Sequence, residues 1–361
     1  MHSAIPILES ESRSAAEAGL LHGLVVAAGT ADTTDLLWAW GDAAVAPARK
    51  AMGPDSIFDV ASLTKVVATA TAAGICIDRG LLDPEADVAV YLPRISQFPG
   101  HPIRVCDLAA HCSGYDNRKF DAYTPDHLID EAVEGPARWP ARQCYEYACR
   151  NNVFAPLGMT HTCFGPILTN TETVVPTSQP AGTIEDPQAR TAPGPVGNAG
   201  LFSTAGDLSL FSRMLLRGGI TGQARILSAG ALGRLMHPSS PAHLPRRSFG
   251  WDMRPCAECS YRPSGLSDSA IGHSGWTGQS MWVDPGLGVY TIVLTNRTHM
   301  PGACDSREAS MRFRARIADI LVENVGRRSG QTARRAAGQT SVSLPAPNRL
   351  VRLQQGLDGD P

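Results

Sequence analysis

Residues 58–65 read Phe-Asp-Val-Ala-Ser-Leu-Thr-Lys, and an apolar, helix-patterned stretch follows them directly. Ser62 and Lys65 are three positions apart, so on a helix they share a face and the Lys65 Nζ can reach the Ser62 Oγ. Ser62 falls where that helix begins. There the helix macrodipole favours a negative oxygen and disfavours a neighbouring ammonium. Both effects suit a serine nucleophile activated by a lysine base. The lysine stands out in the composition too: of 32 Lys and Arg residues, only Lys50, Lys65 and Lys119 are lysine. Arginine stays protonated, whereas a buried lysine can give up its proton and act as a base. A lone Ser-x-x-Lys arises readily by chance, and its position at the head of an apolar helix is what raises it.

Working outward, the helix is expected over 62–81, with Val66, Val67, Ala70, Ala73 and Ile75 as apolar positions and Gly80 near its end. Upstream, 20–27 and 36–40 are apolar and β-prone around the turn-rich Gly-Thr-Ala-Asp-Thr-Thr-Asp, which predicts a β-hairpin. Downstream, 125–134 reads as a helix with Thr124 as N-cap and Pro125 at its first position. Residues 207–217 carry a helical stripe of Leu208, Phe211 and Leu215, stopped by Gly218 and Gly219. Residues 279–284 and 288–295 flank Pro285-Gly286-Leu287 as a second hairpin, and 306–324 form an amphipathic helix. Strands at both chain ends with helices between them predict an α+β fold. Its antiparallel sheet is built from both ends of the chain and flanked by helices, with a mostly helical inserted subdomain. The expected organisation is an N-terminal extension (1–18), a main domain (19–325) and a disordered Arg-rich tail (326–361). Within the main domain, 19–75 and 235–325 supply the sheet part and 76–234 the helical part.

Composition narrows the function. The chain has 361 residues, 43% of them hydrophobic, and a net charge of −2. Such a balance offers no basic face for nucleic acid or an anionic membrane. No apolar run approaches the roughly 20 residues of a membrane span. The first residues are polar and acidic, without a signal-peptide pattern. The expectation is a cytoplasmic, enzyme-sized protein. Nine cysteines, an odd number, do not suggest a disulfide framework. Cys256 and Cys259 form a single CxxC, weak as a zinc signal without a second pair.

The stretch Ile-Phe-Asp-Val-Ala-Ser-Leu-Thr-Lys-Val (57–66) resembles the nucleophile motif of the serine β-lactamase and penicillin-binding-protein superfamily, especially its class C-like esterases and D-alanyl peptidases. Further stretches agree in the family's order: 107–115 (DLAAHCSGY), 152–159 (NVFAPLGM), 197–208 (GNAGLFSTAGDL), 272–285 (GHSGWTGQSMWVDP) and 293–297 (VLTNR). The resemblance spans roughly residues 19–325. It implies that His273-Ser274-Gly275 is the family's third motif, on a strand beside the nucleophile. Gly275 would let substrate backbone approach that strand. His273 would bind a substrate carboxylate or tune the base. The family pattern also implies an oxyanion hole from the backbone N–H groups of Ser62 and Trp276.

The family's second motif is Tyr-x-Asn, whose Tyr completes the base with the lysine. This sequence departs from it. The best match is Tyr147-Ala148-Cys149, with Cys149 at the Asn position, and Tyr145 is a further option. Relatives place an additional helix between this motif and the 152–159 stretch, whereas here Asn151 runs straight into Asn152-Val153-Phe154. Either that helix is deleted, or 143–154 is the end of it and the Tyr motif is gone. Asn198 in the Gly-rich loop is a candidate lining residue, more readily a turn. His111 reads as structural. Trp276 and Trp282 are candidate walls of an acyl pocket, with half-buried sheet-edge positions as the ordinary explanation.

The resemblance implies an acyl-transferring serine hydrolase that needs no metal or organic cofactor and takes a small-molecule ester or amide. A small ester is favoured over a β-lactam or a D-Ala-D-Ala peptide. Two features motivate this: the absent export signal, and His273 where cell-wall enzymes more often carry Lys. The altered Tyr region motivates a second reading, a catalytically impaired relative that binds a ligand or partner through the same cleft.

Overall fold

The computed structural model describes residues 3–92, 102–113, 145–222, 224–254, 261–299 and 307–339. The chain divides into two units, 1–326 and 327–361. The predicted helix at 125–134, Lys119 and the Cys256/Cys259 pair lie outside the described residues.

The first unit is built on a large antiparallel sheet. Its strands are β1 (Gly23–Thr30), β2 (Thr34–Ala44) and β3 (Lys50–Ala51) from the front of the chain. From the back come β9 (Arg246–Arg247), β10 (Asp252–Arg254), β11 (Ile271–Gly275), β12 (Gln279–Asp284) and β13 (Val289–Thr295). The order across the sheet is β3-β2-β1-β13-β12-β11-β10-β9. The β1–β13 pairing, Val25 opposite Leu294 and Ala27 opposite Ile292, joins the two ends of the chain. Asn296 secures that junction: its Oδ1 accepts the N–H of His22 and Gly23, and its Nδ2 donates to the carbonyls of Asp42 and Ala43. Between the front and back strands lie β4 (Phe58–Asp59), β5 (Cys163–Phe164) and β6 (Leu201–Ser203), which make a small sheet of order β4-β6-β5, and the short hairpin of β7 (Ile220–Thr221) and β8 (Ala224–Arg225). Both predicted hairpins form. The first has a tighter turn than the polar loop suggested, because β1 and β2 extend into it.

Helices cover both faces. On one face α1 (Ile5–Glu17) and the 307–325 part of α8 (Arg307–Gln339) pack on the sheet, with Leu8, Ala15, Phe313, Ile317 and Leu321 buried against Leu24, Val26 and Val293. Residues 5–17, expected as an extension, are thus part of the folded core, since Leu8 and Ala15 have apolar surface to bury. The last helix was expected to end at 324. It runs on to Gln339, with no proline between 325 and 339 to break it. Of the second unit, the structure describes this helical stretch, 327–339.

The other face carries the central helical run. After a single 3₁₀ turn at Ala61–Leu63, it continues as a π-helix over Lys65–Ala70 and then as α2 (Thr71–Asp78). Although Ala61–Asp78 is apolar enough and long enough to cross a bilayer, 56% of it is buried inside this fold. Val66, Val67 and Ala68 are fully buried against β-sheet residues and α6 (Ala205–Leu216). Thr204 caps α6 through its side chain, and Gly218 and Gly219 end it at positive φ. The remaining helices among the described residues are short: α3 (Val105–Ala109), α4 (Ala155–Leu157), α5 (Pro187–Thr191) and α7 (Ala229–Met236).

Candidate active site

Ser62 sits in the 3₁₀ turn that follows β4. Its N–H belongs to the first turn of the helical run, where backbone donors have no acceptor within the helix. The preceding residue, Ala61, holds φ at +46°, a conformation disfavoured for a side chain with a Cβ. Several bonds impose it. The Asp59 carboxylate accepts the Ala61 N–H at 2.8 Å, and Thr64 Oγ1 donates to the Ala61 carbonyl at 2.6 Å. Thr64 Oγ1 in turn accepts the N–H of Leu201 on β6 at 3.1 Å. The turn carrying Ser62 is thereby tied to the small sheet.

Lys65 lies on the same face, as the three-residue spacing requires. Its Nζ donates to Ser62 Oγ at 2.9 Å and to the Asn198 carbonyl at 2.8 Å. Burial lowers the Lys65 pKa; Asp186 opposes that shift and Arg247 adds to it. Asn198 therefore enters the site through its main chain, as the acceptor that orients the ammonium. Sequence reasoning took Asn198 for a lining side chain or a turn.

The third motif forms β11, next to β12 with His273 opposite Met281 and Gly275 opposite Gln279. His273 is buried, and its Nδ1 lies 2.8 Å from the Ser274 carbonyl, so the ring proton sits on Nδ1. Burial first, then the charges of Lys65 and Arg247, push its pKa down to about 3. The sequence expected His273 to bind a substrate carboxylate or to tune the base; a neutral imidazole would bring no positive charge to either role. Ser274 is half-buried on the same strand.

Gly275 also has a structural reason to be glycine. A Cβ there would meet the Val60 carbonyl at 2.7 Å, so its bareness admits the nucleophile turn itself. Thr277 Oγ1 and Gln279 Nε2 donate to the Asp59 carbonyl at 2.8 and 3.2 Å, stitching the end of β11 to the same turn.

Trp276 follows β11. Its ring is 53% exposed and lies against the guanidinium groups of Arg297 (4.9 Å) and Arg307 (5.6 Å). Arg297 also donates to the Trp276 carbonyl at 2.8 Å. Trp282, the other candidate pocket wall, is fully buried on the α1/α8 face beside Tyr261, so it is core. Its ring fills the space a Cβ on Gly272 would occupy. His111 occupies a tight turn at φ +57°, with its N–H on the Leu108 carbonyl.

The Tyr motif resolves against its best match. Residues 145–157 form one helical run that leads straight into Gly158-Met159. Tyr147 is 70% exposed on that run. Among the described residues, the partners of Lys65 Nζ are Ser62 and Asn198, and Tyr147 is not one of them. Cys149 points the opposite way. It is fully buried, with Sγ 4.0 Å from the Ala68 carbonyl, and burial pushes its thiol up to about 12, so it lines no substrate cleft. Positions two apart on a helix face different directions, which explains why the pair separates.

Tyr145 comes closer to the site. Its hydroxyl lies 2.7 Å from Thr69 Oγ1, and Thr69 donates to the Gly197 carbonyl at 2.6 Å, so Tyr145 donates to Thr69. Thr69 is one helical turn beyond Lys65. Tyr145 thus braces the lysine-bearing helix against the 197–198 loop, and burial raises its pKa well above the ordinary phenol range.

Sequence reasoning missed Asp59, Thr64 and Gln279. Asp59 lay inside the quoted motif, but nothing in its spacing marked a carboxylate that bonds backward to the chain. An apolar cavity of about 640 Å³ lies between the ends of β2 and β13 and the 174–181 segment. None of its lining residues is one of the sequence-predicted site residues.

Comparison with known proteins agrees with this fold. The sequence pattern of the family described as Beta-lactamase matches residues 13–313. The chain belongs to the β-lactamase family. Among its relatives is an Escherichia coli (strain K12) protein named "Putative D-alanyl-D-alanine carboxypeptidase", 26% identical over 316 residues, covering 71% of this chain and 72% of that protein. An N-acetylmuramyl-L-alanine amidase of Bacillus subtilis (strain 168) is 26% identical over 310 residues, covering 68% and 69%. The solved structure of EstCE1, a hydrolase with promiscuous acyltransferase activity, superposes with a TM-score of 0.67 at 19% identity, covering 89% of this chain and 99% of that one. The family and these relatives are hydrolases of the serine β-lactamase and penicillin-binding-protein type. The α+β fold with a large antiparallel sheet flanked by helices is theirs.

Proposed function

We propose that the protein is a serine hydrolase that works through an acyl-enzyme on a small ester or amide. The observation that carries this reading is the Lys65 Nζ to Ser62 Oγ bond at 2.9 Å, at the head of a helical run, with the lysine pKa lowered. A lysine that loses its proton takes the Ser62 proton as Oγ attacks the substrate carbonyl. The oxygen that becomes negative is received by the Ser62 and Trp276 N–H groups. When the tetrahedral species collapses, Lys65 returns the proton to the leaving group. Water, activated by the same amine, then releases the acyl group.

Among esters and amides, esters fit better. An amine leaves only when protonated, and among the described residues Lys65 is the one group placed to move a proton at Ser62. His273 is neutral and buried, and Tyr147 faces solvent. An alcohol or phenol leaves with less help. The names of the carboxypeptidase and amidase relatives favour an amide instead. The acyltransferase neighbour is compatible with ester donors. We place the substrate among soluble small molecules and the protein in the cytoplasm.

The test is intact-mass spectrometry of protein quenched soon after mixing with a short-chain p-nitrophenyl ester, and separately with a cephalosporin, beside Ser62→Ala. The expected result is an acyl adduct on wild type alone, formed faster from the ester. Turnover unchanged in Ser62→Ala refutes the nucleophile. No adduct from either donor on a folded protein transfers the reading to a non-catalytic binder using the same cleft.

A further inference from the structure

A buried carboxylate lies directly beneath the proposed nucleophile and takes no part in the proton transfers above. The Asp59 side chain is 2% exposed. Its two oxygens accept two main-chain donors from different parts of the chain, the N–H of Ala61 at 2.8 Å and the N–H of Glu185 at 2.8 Å. Its own carbonyl accepts Thr277 Oγ1, from the turn between β11 and β12, and Gln279 Nε2, from the first residue of β12. Asp59 is thus bonded at once to the residue before Ser62, to Glu185 and to the connection that follows the third-motif strand. Among the described residues it has no cationic partner.

Burying a carboxylate without a counter-charge is costly, and a fold with no use for it would place an apolar side chain there. What the carboxylate does here is geometric. Ala61 at φ +46° is a strained alanine, and its N–H is held by Asp59 Oδ1. The direction of that N–H fixes the Val60–Ala61 peptide plane, and Thr64 Oγ1, donating to the Ala61 carbonyl, fixes the plane that follows; the two together set where the Ser62 N–H and Oγ point. We propose that Asp59 is a positioning residue of the hydrolytic site: its carboxylate holds Ala61 in the left-handed conformation and so aims the Ser62 hydroxyl and N–H into the cleft. The inference rests on the serine-hydrolase reading for its kinetic consequence, while its geometric content stands apart from it.

The electrostatics agree with a strained, functional placement. Burial raises the Asp59 pKa to about 6 against the two N–H bonds that lower it, and the carboxylates of Glu185 and Asp186 push the same way as burial. Asp186 is also the charge that opposes the lowering of the Lys65 pKa. By anchoring the Glu185 N–H, Asp59 holds the segment that carries Asp186.

The experiment compares wild type, Asp59→Asn and Asp59→Ala, each normalised by titrating Ser62 with a fluorophosphonate and each checked for its melting temperature. Asparagine keeps one acceptor oxygen and loses the other, whereas alanine loses both. The expected result is a fall in kcat per titrated site of about tenfold for Asp59→Asn and about a hundredfold for Asp59→Ala. KM stays within about twofold, and Ser62 phosphonylation slows in parallel. A misplacement of about 1 Å at a reacting atom has effects of that order. A purely structural carboxylate lowers the melting temperature and the titratable fraction but leaves kcat per titrated site unchanged, and that outcome overturns the proposal. Should wild type neither hydrolyse ester nor react with the fluorophosphonate, the hydrolase reading has failed. The crystal structure of Asp59→Ala then decides the present one: Ala61 relaxed to negative φ supports it, and Ala61 still near +46° refutes it.

Discussion

Replacing Lys65 by methionine removes the amine while nearly preserving the length and volume of the side chain. Two hydrogen bonds are lost, those from Nζ to Ser62 Oγ (2.9 Å) and to the Asn198 carbonyl (2.8 Å). Each is worth about 0.5–1.5 kcal/mol net, and the loss is offset by no longer having to desolvate an ammonium, so stability shifts by about 1–2 kcal/mol or less. The kinetic effect is far larger. A positioned general base contributes about 10²–10⁴ in rate, which corresponds to about 3–5 kcal/mol of barrier at 1.36 kcal/mol per tenfold. The assay is a cycle of wild type, Lys65→Met, Ser62→Ala and the double variant on a p-nitrophenyl ester, with urea melts run in parallel. Since the two residues act as one unit, the double variant is expected to be no slower than the slower single variant. Retention of more than a tenth of wild-type kcat/KM by Lys65→Met refutes the lysine base. So do losses that add in the double variant, because independent contributions are incompatible with one proton passing between the two side chains.

Three further outcomes are expected. Gly275→Ala places a methyl 2.7 Å from the Val60 carbonyl, so the nucleophile turn must shift; kcat for the ester should fall about tenfold or more, and a wild-type kcat removes the argument. Tyr147→Phe should leave kcat/KM for the same ester within about twofold of wild type, because the ring faces solvent, and a large loss would return Tyr147 to the site. His273, with a folded pKa near 3 against 6.5 in the unfolded chain, contributes stability that is fully present above pH 6.5 and is lost as pH falls toward 3. In urea melts from pH 7.5 to 4.5, wild type should therefore lose more stability than His273→Gln, and parallel curves would contradict a buried neutral imidazole.

How legible the site was depended on how far apart in the chain its parts lie. The Ser62–Lys65 pair needs one helical turn, and a three-residue spacing guarantees the shared face. The family resemblance placed His273-Ser274-Gly275 on a strand, but could not give the protonation of the histidine, which depends on burial and on Lys65 and Arg247. Tyr147 was the better motif match, and the structure turns it toward solvent. The choice between 145, 147 and 149 turns on the phase of a helix, which no spacing within five residues reveals. Asn198 was noticed for its side chain and acts through its carbonyl, and a main-chain role leaves no mark on residue identity.

By itself the sequence determined the antiparallel sheet shared by the two chain ends, the helical run headed by Ser62 and the nearness of Lys65 to it. These follow from hydrophobic periodicity, turn chemistry and helical spacing, which are local. The tertiary structure alone decided what surrounds that pair. It brought the Asn198 carbonyl to the ammonium, the Val60 carbonyl against Gly275 and the Asp59 carboxylate under Ala61. It also turned Tyr147 outward, buried Cys149 and folded residues 5–17 onto the sheet. Apart from the Asp59–Ala61 bond, which spans two positions, those contacts join residues far apart in the chain, and their partners are set by packing and by the need of buried polar groups to find one another.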